Sequence, residues 1–567
     1  MTNTEIAARF TRIGDILEIQ GENPFKIKAY RNAAATILDL DEPLSALNER
    51  GVLGDLPGFG EAIVGKTRDF LTTGTTALYE RIKDAVPEGV LRMATIPGLS
   101  PKTVKTLSDA LQVTDVDALE ALARTGGVRG VPGFGAAKEA KLLENIARWR
   151  RLSETIPLYV ARPAAERFAA AVGRLPGVRR VEIAGEIRRG CDVVRGIYLL
   201  ADTENAPRTV AAVGELPGVG TVVEASSTHV IAETDGGLRL TVATYDAGLQ
   251  WAAYGIALIA ATGPAEFYDA CDPGERVMRG ILSDEAGVFA ALELPFIAPE
   301  RRDTPGIIET ARTHGLPTLV AESDFRGQLH EHSTGSDGGA TISEMAEAAL
   351  ARGYEYLAIT DHSHVLTIAN GLDRARLEAQ IAEIETLNRE FVPRGLTLLA
   401  GIEADILADG SIDCEDDLLA RLDVVVASVH RRFGESEAAM TARVIRAVEH
   451  PNVHVIGHPT GRLLGRREPF PVDMDAVIAA AARTGTVLEI NASPERLDLC
   501  AEHARAAKAA GVLLSVNADA HSAAGLGLVS WGVTQARRAG LTADDVVNTF
   551  PLAKLRAVLT RKAERVQ

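Results

Sequence analysis

Seven strand-like runs, each followed by a helix-like stretch, occupy the chain after residue 322 and restrict its fold more than any other feature. The runs are RGQLHEHS, YEYLAITDHSH, LTLLAGIEADI, LDVVVASVHRR, NVHVIGHPTGR, TVLEINAS and GVLLSVNADAH. Stretches between them, such as ISEMAEAALARG and RLEAQIAEIETLNREF, place apolar residues at helical spacing. Repeated strand-then-helix units are typical of a parallel barrel, whose active groups lie at the carboxyl ends of the strands. We therefore predict a seven-stranded (β/α)7 barrel over residues 323–567.

Metal-binding side chains stand at the ends of six of the seven runs. Ten of the twelve histidines lie in this region, and acidic residues accompany them. A buried cluster of imidazoles and carboxylates is costly unless it binds an ion, and this set exceeds what a single ion can use. Imidazole mixed with carboxylate suits Mn²⁺, Zn²⁺ or Fe²⁺, so we predict two or three such ions. The predicted ligands are His330, His332, Asp337, His362, Glu403, His430, His458, Asp519 and His521.

Three segments near the amino terminus repeat one pattern: LPGFGEAIVGKTRDFL (56–71), IPGLSPKTVKTLSDAL (96–111) and VPGFGAAKEAKLLENI (131–146). Each pairs a Pro-Gly turn with a helix, and the second has Ser100 where the others have a last glycine. Glycine allows positive φ and close approach, and backbone N–H groups at a helix N-terminus suit a phosphate. Nothing at the turn reads bases, so we expect sequence-independent DNA binding. The predicted contacts are Gly58, Gly60, Lys66, Gly98, Lys102, Gly133 and Gly135.

The alternative for these segments is three ordinary helix-turn-helix connections, but three copies with a shared mechanism favour DNA binding. The pattern resembles the helix-hairpin-helix motif. With ENPFKIKAYRNAA (22–34) ahead of the first copy, the region is similar to the amino-terminal part of family X DNA polymerases. That resemblance implies that Lys66 could form a Schiff base with an abasic sugar, which needs an amine of lowered pKa. A plain phosphate contact is the alternative role for Lys66.

The middle of the chain alternates helices and strands and continues the family X resemblance. AGEIRRG (184–190) resembles the palm turn, TGPAEF (262–267) a segment that contacts the incoming nucleotide, and LELPFIAPERRD (292–303) the end of the thumb. Family members place three aspartates in the palm to hold two metals. The corresponding positions here are Gly196, Tyr198 and Thr241. We expect an α+β nucleotidyltransferase-like palm and thumb without Mg²⁺ and without the family's polymerase chemistry.

Two other acidic residues in this strand, Asp202 and Glu204, keep the one-apart spacing of catalytic carboxylates. They follow six residues later, which along a strand is roughly 20 Å. That distance is too long to serve the same nucleotide pocket, so we expect both to be solvated charges. Asp192, on the preceding turn, is a single carboxylate without a second acidic residue beside it.

The carboxy-terminal pattern HxH…D…H…E…H…H…DxH resembles the PHP (polymerase and histidinol phosphatase) superfamily over the whole region. The resemblance implies phosphoester hydrolysis, in which divalent ions activate water and stabilise the leaving oxygen. It also implies three ligand sets: His330, His332, Glu403 and Asp519; Glu403 with His430 and His458; and Asp337, His362 and His521. Arg462, after HPTG, could hold a phosphate or be a surface arginine. Four histidines outside the pattern are expected to be structural: His364, His450, His454 and His503.

The order of these parts resembles bacterial family X polymerases that carry a PHP domain, the PolX proteins. The resemblance implies a metal-dependent 3′–5′ exonuclease of DNA repair, acting on gapped, nicked or recessed duplexes. Two alternatives remain: a gap-filling polymerase that binds dNTP and Mn²⁺ at displaced carboxylates, and a DNA-binding protein whose PHP domain hydrolyses small phosphoesters. The predicted domains are 1–80 (helical, first hairpin), 81–155 (fingers-like, two hairpins), 156–303 (altered palm and thumb), 304–322 (linker) and 323–567 (PHP).

Composition sets the remaining expectations. The net charge of −17 speaks against a uniformly basic DNA-binding surface, but residues 1–150 are nearly balanced and can present local basic helices. The longest apolar run, about 249–262, is too short to span a bilayer, and the amino terminus lacks an apolar signal core. Four cysteines without a CxxC fit a reducing cytoplasm. We expect a cytoplasmic, nucleoid-associated monomer without a membrane partner.

Overall fold

The computed structural model describes residues 3–38, 44–96, 98–153, 155–246, 254–272 and 284–566. The chain divides into two compact units, residues 1–154 and 155–567, and each unit has its own apolar cores.

The described part of the first unit is helical, as predicted. Phe10 lies at the centre of its core, stacked on Tyr30 at 6.0 Å and edge-on to Phe70 at 5.4 Å between ring centroids. These aromatic pairs fix the first helices around the first hairpin. The helices are α1 (Asn3–Ile19), α2 (Pro24–Leu38), α3 (Leu44–Glu49), α4 (Glu61–Thr73), α5 (Ala77–Ile82), α6 (Glu88–Met93), α7 (Pro101–Leu111), α8 (Val116–Arg124) and α9 (Ala136–Ser153).

The glycines of the three Pro-Gly turns share one backbone conformation. Gly58, Gly98 and Gly133 have φ of 79°, 81° and 87°, in the left-handed region that favours glycine. Helices α4, α7 and α9 begin three residues after these glycines. The repeated sequence therefore corresponds to a repeated structure, with N–H groups of three helix N-termini beside exposed turns.

The second small residue of each turn has a different role from the first. Gly60 has φ −72° and Ser100 has φ −77°, both ordinary extended values at the N-cap of the following helix. The Ser100 hydroxyl accepts a hydrogen bond from the Thr103 N–H at 3.1 Å. Our expectation that glycine is needed for positive φ is therefore wrong at this position, because an N-cap serine satisfies a free helix N–H instead.

The second unit begins with a five-stranded sheet in the order β2-β4-β7-β6-β5, in which β4 and β7 are parallel and the other pairs antiparallel. Helices α10 and α12 pack on it through a core that includes Phe168, Leu199 and Val210. The elements are β1 (Ile156–Pro157), α10 (Leu158–Gly173), β2 (Val178–Ile183), α11 (Gly185–Arg188), β3 (Val193–Val194), β4 (Ile197–Thr203), α12 (Ala206–Gly214), β5 (Val219–Ala225), β6 (His229–Thr234) and β7 (Arg239–Tyr245).

Among the described residues, four helices follow the sheet and form a separate small core around Phe267 and Phe289. Part of the predicted linker, 304–322, is helical, and Ile307 and Ile308 of that helix join the same core. These helices are α13 (Tyr254–Thr262), α14 (Ala265–Cys271), α15 (Glu285–Ala291) and α16 (Ile307–His314).

The rest of the second unit is a parallel sheet of seven strands in the order β14-β13-β12-β11-β10-β9-β8, and each strand lies inside one predicted run. The (β/α)7 fold is thus confirmed. The elements are β8 (Gly327–Gln328), α17 (Ile342–Ala351), β9 (Tyr356–Ile359), α18 (Arg374–Phe391), β10 (Thr397–Asp405), α19 (Asp416–Leu419), β11 (Val424–Ser428), α20 (Glu437–Val448), β12 (Val455–Ile456), α21 (Met474–Thr484), β13 (Val487–Asn491), α22 (Ala501–Ala509), β14 (Leu514–Asn517), α23 (Val529–Ala539) and α24 (Leu552–Val566).

A short seam joins the first and last strands and closes the barrel. Glu331 and Ala520 form an isolated parallel bridge. The His332 N–H donates to the Ala520 carbonyl at 3.0 Å, and the Ala520 N–H donates to Glu331 Oε2 at 2.7 Å. Inside the barrel, Leu555 and Leu559 of α24 pack with apolar strand residues. Among the described helices, none combines the length and apolar character needed to cross a membrane.

Candidate functional site

The structure brings the nine predicted ligands together where the barrel strands end. Their ligand atoms form four overlapping groups, and within each group the atoms lie within 4.8 Å of one another. Shared members, such as His330 and Glu403, make the groups one continuous cluster. The groups are His332, Asp337, His362 and His521; His330, His332 and Asp519; His330, Glu403 and His458; and His362, Glu403 and His430.

Glu403 occupies the middle of this cluster, at the end of β10, and its side chain is buried. Burial alone would raise the pKa of this carboxyl, but the facing imidazoles, first among them His330, lower it well below its usual value. Glu403 is therefore a buried carboxylate surrounded by nitrogen atoms. Its oxygens lie 2.8 Å from His362 Nδ1, 3.0 Å from His458 Nε2, 3.3 Å from His330 Nε2, 3.3 Å from His430 Nε2 and 3.6 Å from His332 Nε2.

A second part of the cluster is formed by Asp337 on its loop and by Asp519 and His521 after the last strand. His332 Nε2 lies 3.0 Å from Asp519 Oδ1, and Asp337 lies 3.4 Å from His521 Nε2 and 3.6 Å from His362 Nε2. The His332 ring stacks on those of His362 and His521, at 4.4 and 4.3 Å between centroids. Burial, and after it the charge of His362, lowers the pKa of His332 to about 4, so its imidazole is neutral and able to bind a metal.

Several atoms of the cluster are buried and make no hydrogen bond within the described structure. Leaving such atoms unsatisfied costs about 1–3 kcal/mol each, so their clustering indicates a ligand. Nitrogen and carboxylate donors aimed at common points are what a divalent transition metal requires, and these residues fit such ions. Three of these atoms face the cluster: His330 Nε2, His362 Nδ1 and Glu403 Oε2. The other two, His332 Nδ1 and His458 Nδ1, belong to rings whose Nε2 atoms face Asp519 and Glu403.

Two of the predicted ligands have an unusual backbone. His458 has φ 28° and Asp519 has φ 53°, in or near the left-handed region that non-glycine residues rarely adopt. Such conformations cost of the order of 1–3 kcal/mol and persist where the surrounding structure imposes them, commonly at functional sites.

Glu489 belongs to the site although we did not predict it. It lies in β13, the strand to which we assigned no ligand, and is fully buried. Its carboxylate lies 2.8 Å from His330 Nδ1 and accepts the His458 N–H at 2.7 Å and the Asn517 amide at 2.9 Å. Because Glu489 accepts from Nδ1 of His330, the Nε2 atom of this ring faces Glu403 and Asp519. The signal was present in the sequence, since an acid inside an apolar buried strand needs a partner.

We also did not predict Asp405 and Asp361, which orient predicted ligands through hydrogen bonds. Asp405 lies 3.2 Å from His430 Nδ1, which leaves Nε2 of that ring facing Glu403. Asp361 accepts from the Ser333 N–H at 2.8 Å and the Ser336 hydroxyl at 2.5 Å, which orders the loop that carries Asp337. Asp361 directly precedes the predicted ligand His362, and Asp405 follows the predicted ligand Glu403 by two residues. This closeness in sequence was the signal that could have identified them.

Arg462 fits neither of its two proposed roles. It is largely buried, its Nε donates to the Arg496 carbonyl at 2.9 Å, and its Nη2 donates to the Leu497 carbonyl and lies 2.7 Å from Asp192. Its guanidinium is thus occupied by protein groups rather than free for a phosphate or exposed on the surface. Asp192, which we had treated as a single group on a turn, is its partner.

In the mixed sheet, which we expect to be a palm, the structure places two of the three positions where aspartates were expected side by side. Tyr198 of β4 pairs with Thr241 of β7. At Gly196 a Cβ atom would lie 2.7 Å from the Arg239 carbonyl oxygen, so this backbone has no room for an aspartate. A cavity of about 440 Å³ remains beside these residues, and Arg189 is among the residues that line it.

Asp202 is not the solvated charge that we expected. It is buried, accepts from Arg179 Nε at 2.9 Å and lies 3.4 Å from Arg180 Nε. The sheet places Arg179 and Arg180 on the neighbouring antiparallel strand, so the carboxylate is neutralised there. Glu204 is exposed, in line with our expectation.

In the first unit, the five turn glycines and Lys102 are exposed, and Lys66 is half-buried on α4. The Lys66 ammonium donates to the Ala62 carbonyl at 3.0 Å and lies 5.8 Å from the Tyr30 ring centroid. Partial burial lowers the pKa of this amine below its ordinary value. The glycines are Gly58, Gly60, Gly98, Gly133 and Gly135.

Comparison with known families supports the domains that we predicted at both ends of the chain. The family described as "Helix-hairpin-helix domain" matches residues 1–76, and the family described as "PHP domain" matches residues 328–493. Two bacterial relatives named "Probable phosphatase" align with the PHP region. The relative from Syntrophotalea carbinolica is 32% identical, over 41% of this chain and 93% of its own length. A relative from Thermoanaerobacter sp. X514 is 28% identical, over 42% of this chain and 95% of its own length.

A third relative spans the whole chain. The Bacillus subtilis protein named "DNA polymerase/3′-5′ exonuclease PolX" is 32% identical over 99% of this chain and 100% of its own length. This full-length similarity joins the helical unit, the mixed sheet and the barrel in the order that the sequence predicts. The chain therefore belongs to the PolX family.

Proposed function

We propose that this protein is a metal-dependent 3′–5′ exodeoxyribonuclease of DNA repair, whose phosphodiester-hydrolysing site is the nine-ligand cluster of the barrel. The observation that carries the proposal is the buried carboxylate of Glu403 with five imidazole nitrogens within 3.6 Å of its oxygens. The name of the Bacillus subtilis relative includes this activity.

Within this proposal the cluster holds two or three ions, Mn²⁺ or Zn²⁺, with Fe²⁺ as a further candidate. When bound, such ions activate water and stabilise the oxygen that leaves phosphorus. The protein's own part is to present imidazole nitrogen atoms in fixed orientations, with His330 and His430 held by Glu489 and Asp405. The proposed ligands are His330, His332, Asp337, His362, Glu403, His430, His458, Asp519 and His521.

The proposed substrate is gapped, nicked or recessed duplex DNA, bound without sequence preference by the three hairpin turns. Their exposed glycines and helix N-termini offer N–H groups to phosphates, which is the contact that such turns can make. We propose that the protein works as a cytoplasmic, nucleoid-associated monomer and that the predicted domain boundaries divide these roles.

We further propose that the palm does not polymerise by the usual two-metal chemistry and binds no Mg²⁺. The absence of carboxylates at Gly196, Tyr198 and Thr241 supports this. The cavity beside them favours the main alternative, a polymerase that binds dNTP and uses Mn²⁺ at other carboxylates. Primer extension by a variant with mutated barrel ligands separates the two, because the alternative requires synthesis to persist in that variant.

The double variant His330→Ala/His332→Ala is expected to lose Mn²⁺-dependent digestion of gapped DNA. At least one of these two histidines belongs to three of the four ligand groups, so the variant removes a nitrogen ligand from each of the three. The measurement is release of 3′-terminal nucleotides from labelled gapped DNA, with DNA affinity determined in parallel. Equal digestion by the variant and the unmodified protein would overturn the proposal. A preference for histidinol phosphate over a recessed duplex would instead support a phosphatase of small phosphoesters; the two shorter relatives are named as probable phosphatases.

Lyase activity at Lys66 is a second proposed activity, favoured by its half-buried amine and lowered pKa. Borohydride is expected to trap the protein on a DNA with a 5′ abasic sugar, and Lys66→Ala is expected to reduce trapping at least about tenfold. Lys102→Ala, which removes an exposed lysine of the second hairpin, is the matched control. Unchanged trapping by Lys66→Ala would leave Lys66 as a phosphate contact.

A further inference from the structure

The palm turn ends on a carboxylate that two arginines of the barrel region share. Asp192 Oδ2 accepts from Arg462 Nη2 at 2.7 Å, and Asp192 Oδ1 accepts from Arg538 Nη1 at 2.9 Å. Both arginines are largely buried, and the Asp192 side chain is only 13% exposed. A single carboxylate on the palm turn therefore faces two positive charges of the barrel region.

The turn that carries Asp192 is seated closely on helix α23. Gly190 has φ 69°, and a Cβ at this position would lie 2.3 Å from Thr534 Cγ2. The Gln535 amide donates to the Gly190 carbonyl at 3.2 Å. The last glycine of AGEIRRG thus permits contact between the palm turn and the barrel, in addition to its role in the turn.

Arg462 continues the connection from Asp192 towards the metal cluster. Its guanidinium donates to the carbonyls of Arg496 and Leu497, in the loop after β13. The neighbouring Asp498 accepts from the Thr460 N–H at 3.0 Å, which fixes the same loop to the segment after His458. This loop places Arg496 Nε 3.8 Å from Oδ2 of the predicted ligand Asp519.

We propose that Asp192 is a positioning residue of the barrel site: by holding Arg462 it fixes the loop that presents Arg496 beside Asp519. Arg496 is 20% exposed, so its guanidinium can meet a phosphate oxygen of a DNA strand at the cluster. This inference rests on the proposed nuclease function. It assigns to the altered palm a role in the hydrolysis that takes place at the barrel.

The chemistry requires a carboxylate at position 192. Arg462 is nearly buried, and a buried guanidinium is retained in place by a paired charge. Asparagine keeps the size of the side chain but supplies no charge, so Arg462 is expected to move towards water and release the two carbonyls of the loop. Arg496 then loses its fixed position.

The test is the kcat and KM of Mn²⁺-dependent nucleotide release from gapped DNA by the full-length protein. Asp192→Asn is expected to lower kcat about tenfold or more, with KM changed less than about threefold. Asp303→Asn is the matched control, because Asp303 lies 3.6 Å from Arg538 and 3.0 Å from Arg189 but is not paired with Arg462. Its kcat is expected to stay within about twofold of the unmodified protein.

A double-mutant cycle separates positioning from general destabilisation. In an Arg496→Ala background, Asp192→Asn is expected to cause no further loss of kcat, since both changes remove the same contact. Multiplicative losses, or unchanged kcat in Asp192→Asn, would overturn the inference. If Asp192→Asn is recovered unfolded, Arg462→Lys replaces it in the cycle with the same expectation. If His330→Ala/His332→Ala loses activity while Asp192→Asn keeps it, the positioning role of Asp192 is rejected and the proposed nuclease function stands.

Discussion

Replacing Glu403 with glutamine is expected to lower the kcat of metal-dependent DNA hydrolysis about a thousandfold, the largest effect expected of any single substitution. The carboxylate lies within 3.6 Å of five imidazoles, and facing His330 it has a pKa well below its usual value. Glutamine keeps the shape but removes the charge, so the cluster loses its shared anionic ligand. Bound metal per protein and nucleotide release from gapped DNA are both expected to fall, whereas DNA affinity is expected to remain.

Glu331→Gln supplies a matched control for this substitution. Glu331 is also buried, but its Oε2 accepts the Ala520 N–H at 2.7 Å in the seam of the barrel, and burial raises its pKa well above the usual value, opposite to the direction at Glu403. Glutamine there keeps an oxygen acceptor for this N–H, and we expect metal content and kcat to change little. A Glu403→Gln variant that keeps its metal and cleaves DNA at the rate of the Glu331→Gln variant would contradict the central role of Glu403.

Serine at both Gly58 and Gly133 is expected to weaken DNA binding at least about tenfold. These residues have φ of 79° and 87°, and an L-residue in the left-handed region costs roughly 1–2 kcal/mol at each site. Since about 1.4 kcal/mol corresponds to tenfold in affinity, moving the turn N–H groups away from the phosphates produces a measurable loss. Fluorescence anisotropy with two unrelated duplex sequences is expected to show the same loss for each.

The comparison variant is Gly60→Ser/Gly135→Ser, which places serine two residues later in the same turns. Ser100 already stands at this position in the second copy, and a Cβ at Gly60 or Gly135 would meet open space. We therefore expect unchanged DNA affinity. Equal weakening in both double variants would mean that the turns bind DNA through something other than their left-handed glycines.

The barrel could be predicted because strands and helices carry different periodicities. Each run in which apolar residues cluster became a strand, and the one-apart spacing of His330 and His332 placed both side chains on one face. Ligands at strand ends then converged because parallel strands finish at one end of a barrel. Local pattern and topology were sufficient for the positions of all nine side chains.

The supporting carboxylates were harder to predict. Glu489 and Asp405 hold ligand imidazoles, yet Glu489 lies in a strand to which we assigned no ligand, and Asp405 follows Glu403 in a strand whose ligand was already assigned. An acid within a buried strand shows only that some partner exists, and the partner here is brought near by folding: Glu489 and His330 are 159 residues apart. Periodicity carries no information about such a pairing.

Two predictions about charged residues failed for the same reason. Asp202 was expected to be solvated but is neutralised by Arg179, on the neighbouring strand. Arg462 was expected to bind phosphate or lie on the surface, but its partner Asp192 is 270 residues away. The sequence shows which residues are charged, whereas the sheet register and the packing of palm on barrel decide which charges meet.

The seam between the first and last barrel strands also determines when, during synthesis, the site can form. His330 and His332 are synthesised first, and Asp519, with which they form one group of candidate ligands, follows almost 190 residues later. The bridge between Glu331 and Ala520 closes only after the last strand has been made. Under the proposed function, a nascent or prematurely ended chain can therefore fold its helical unit and bind DNA before the hydrolytic site exists.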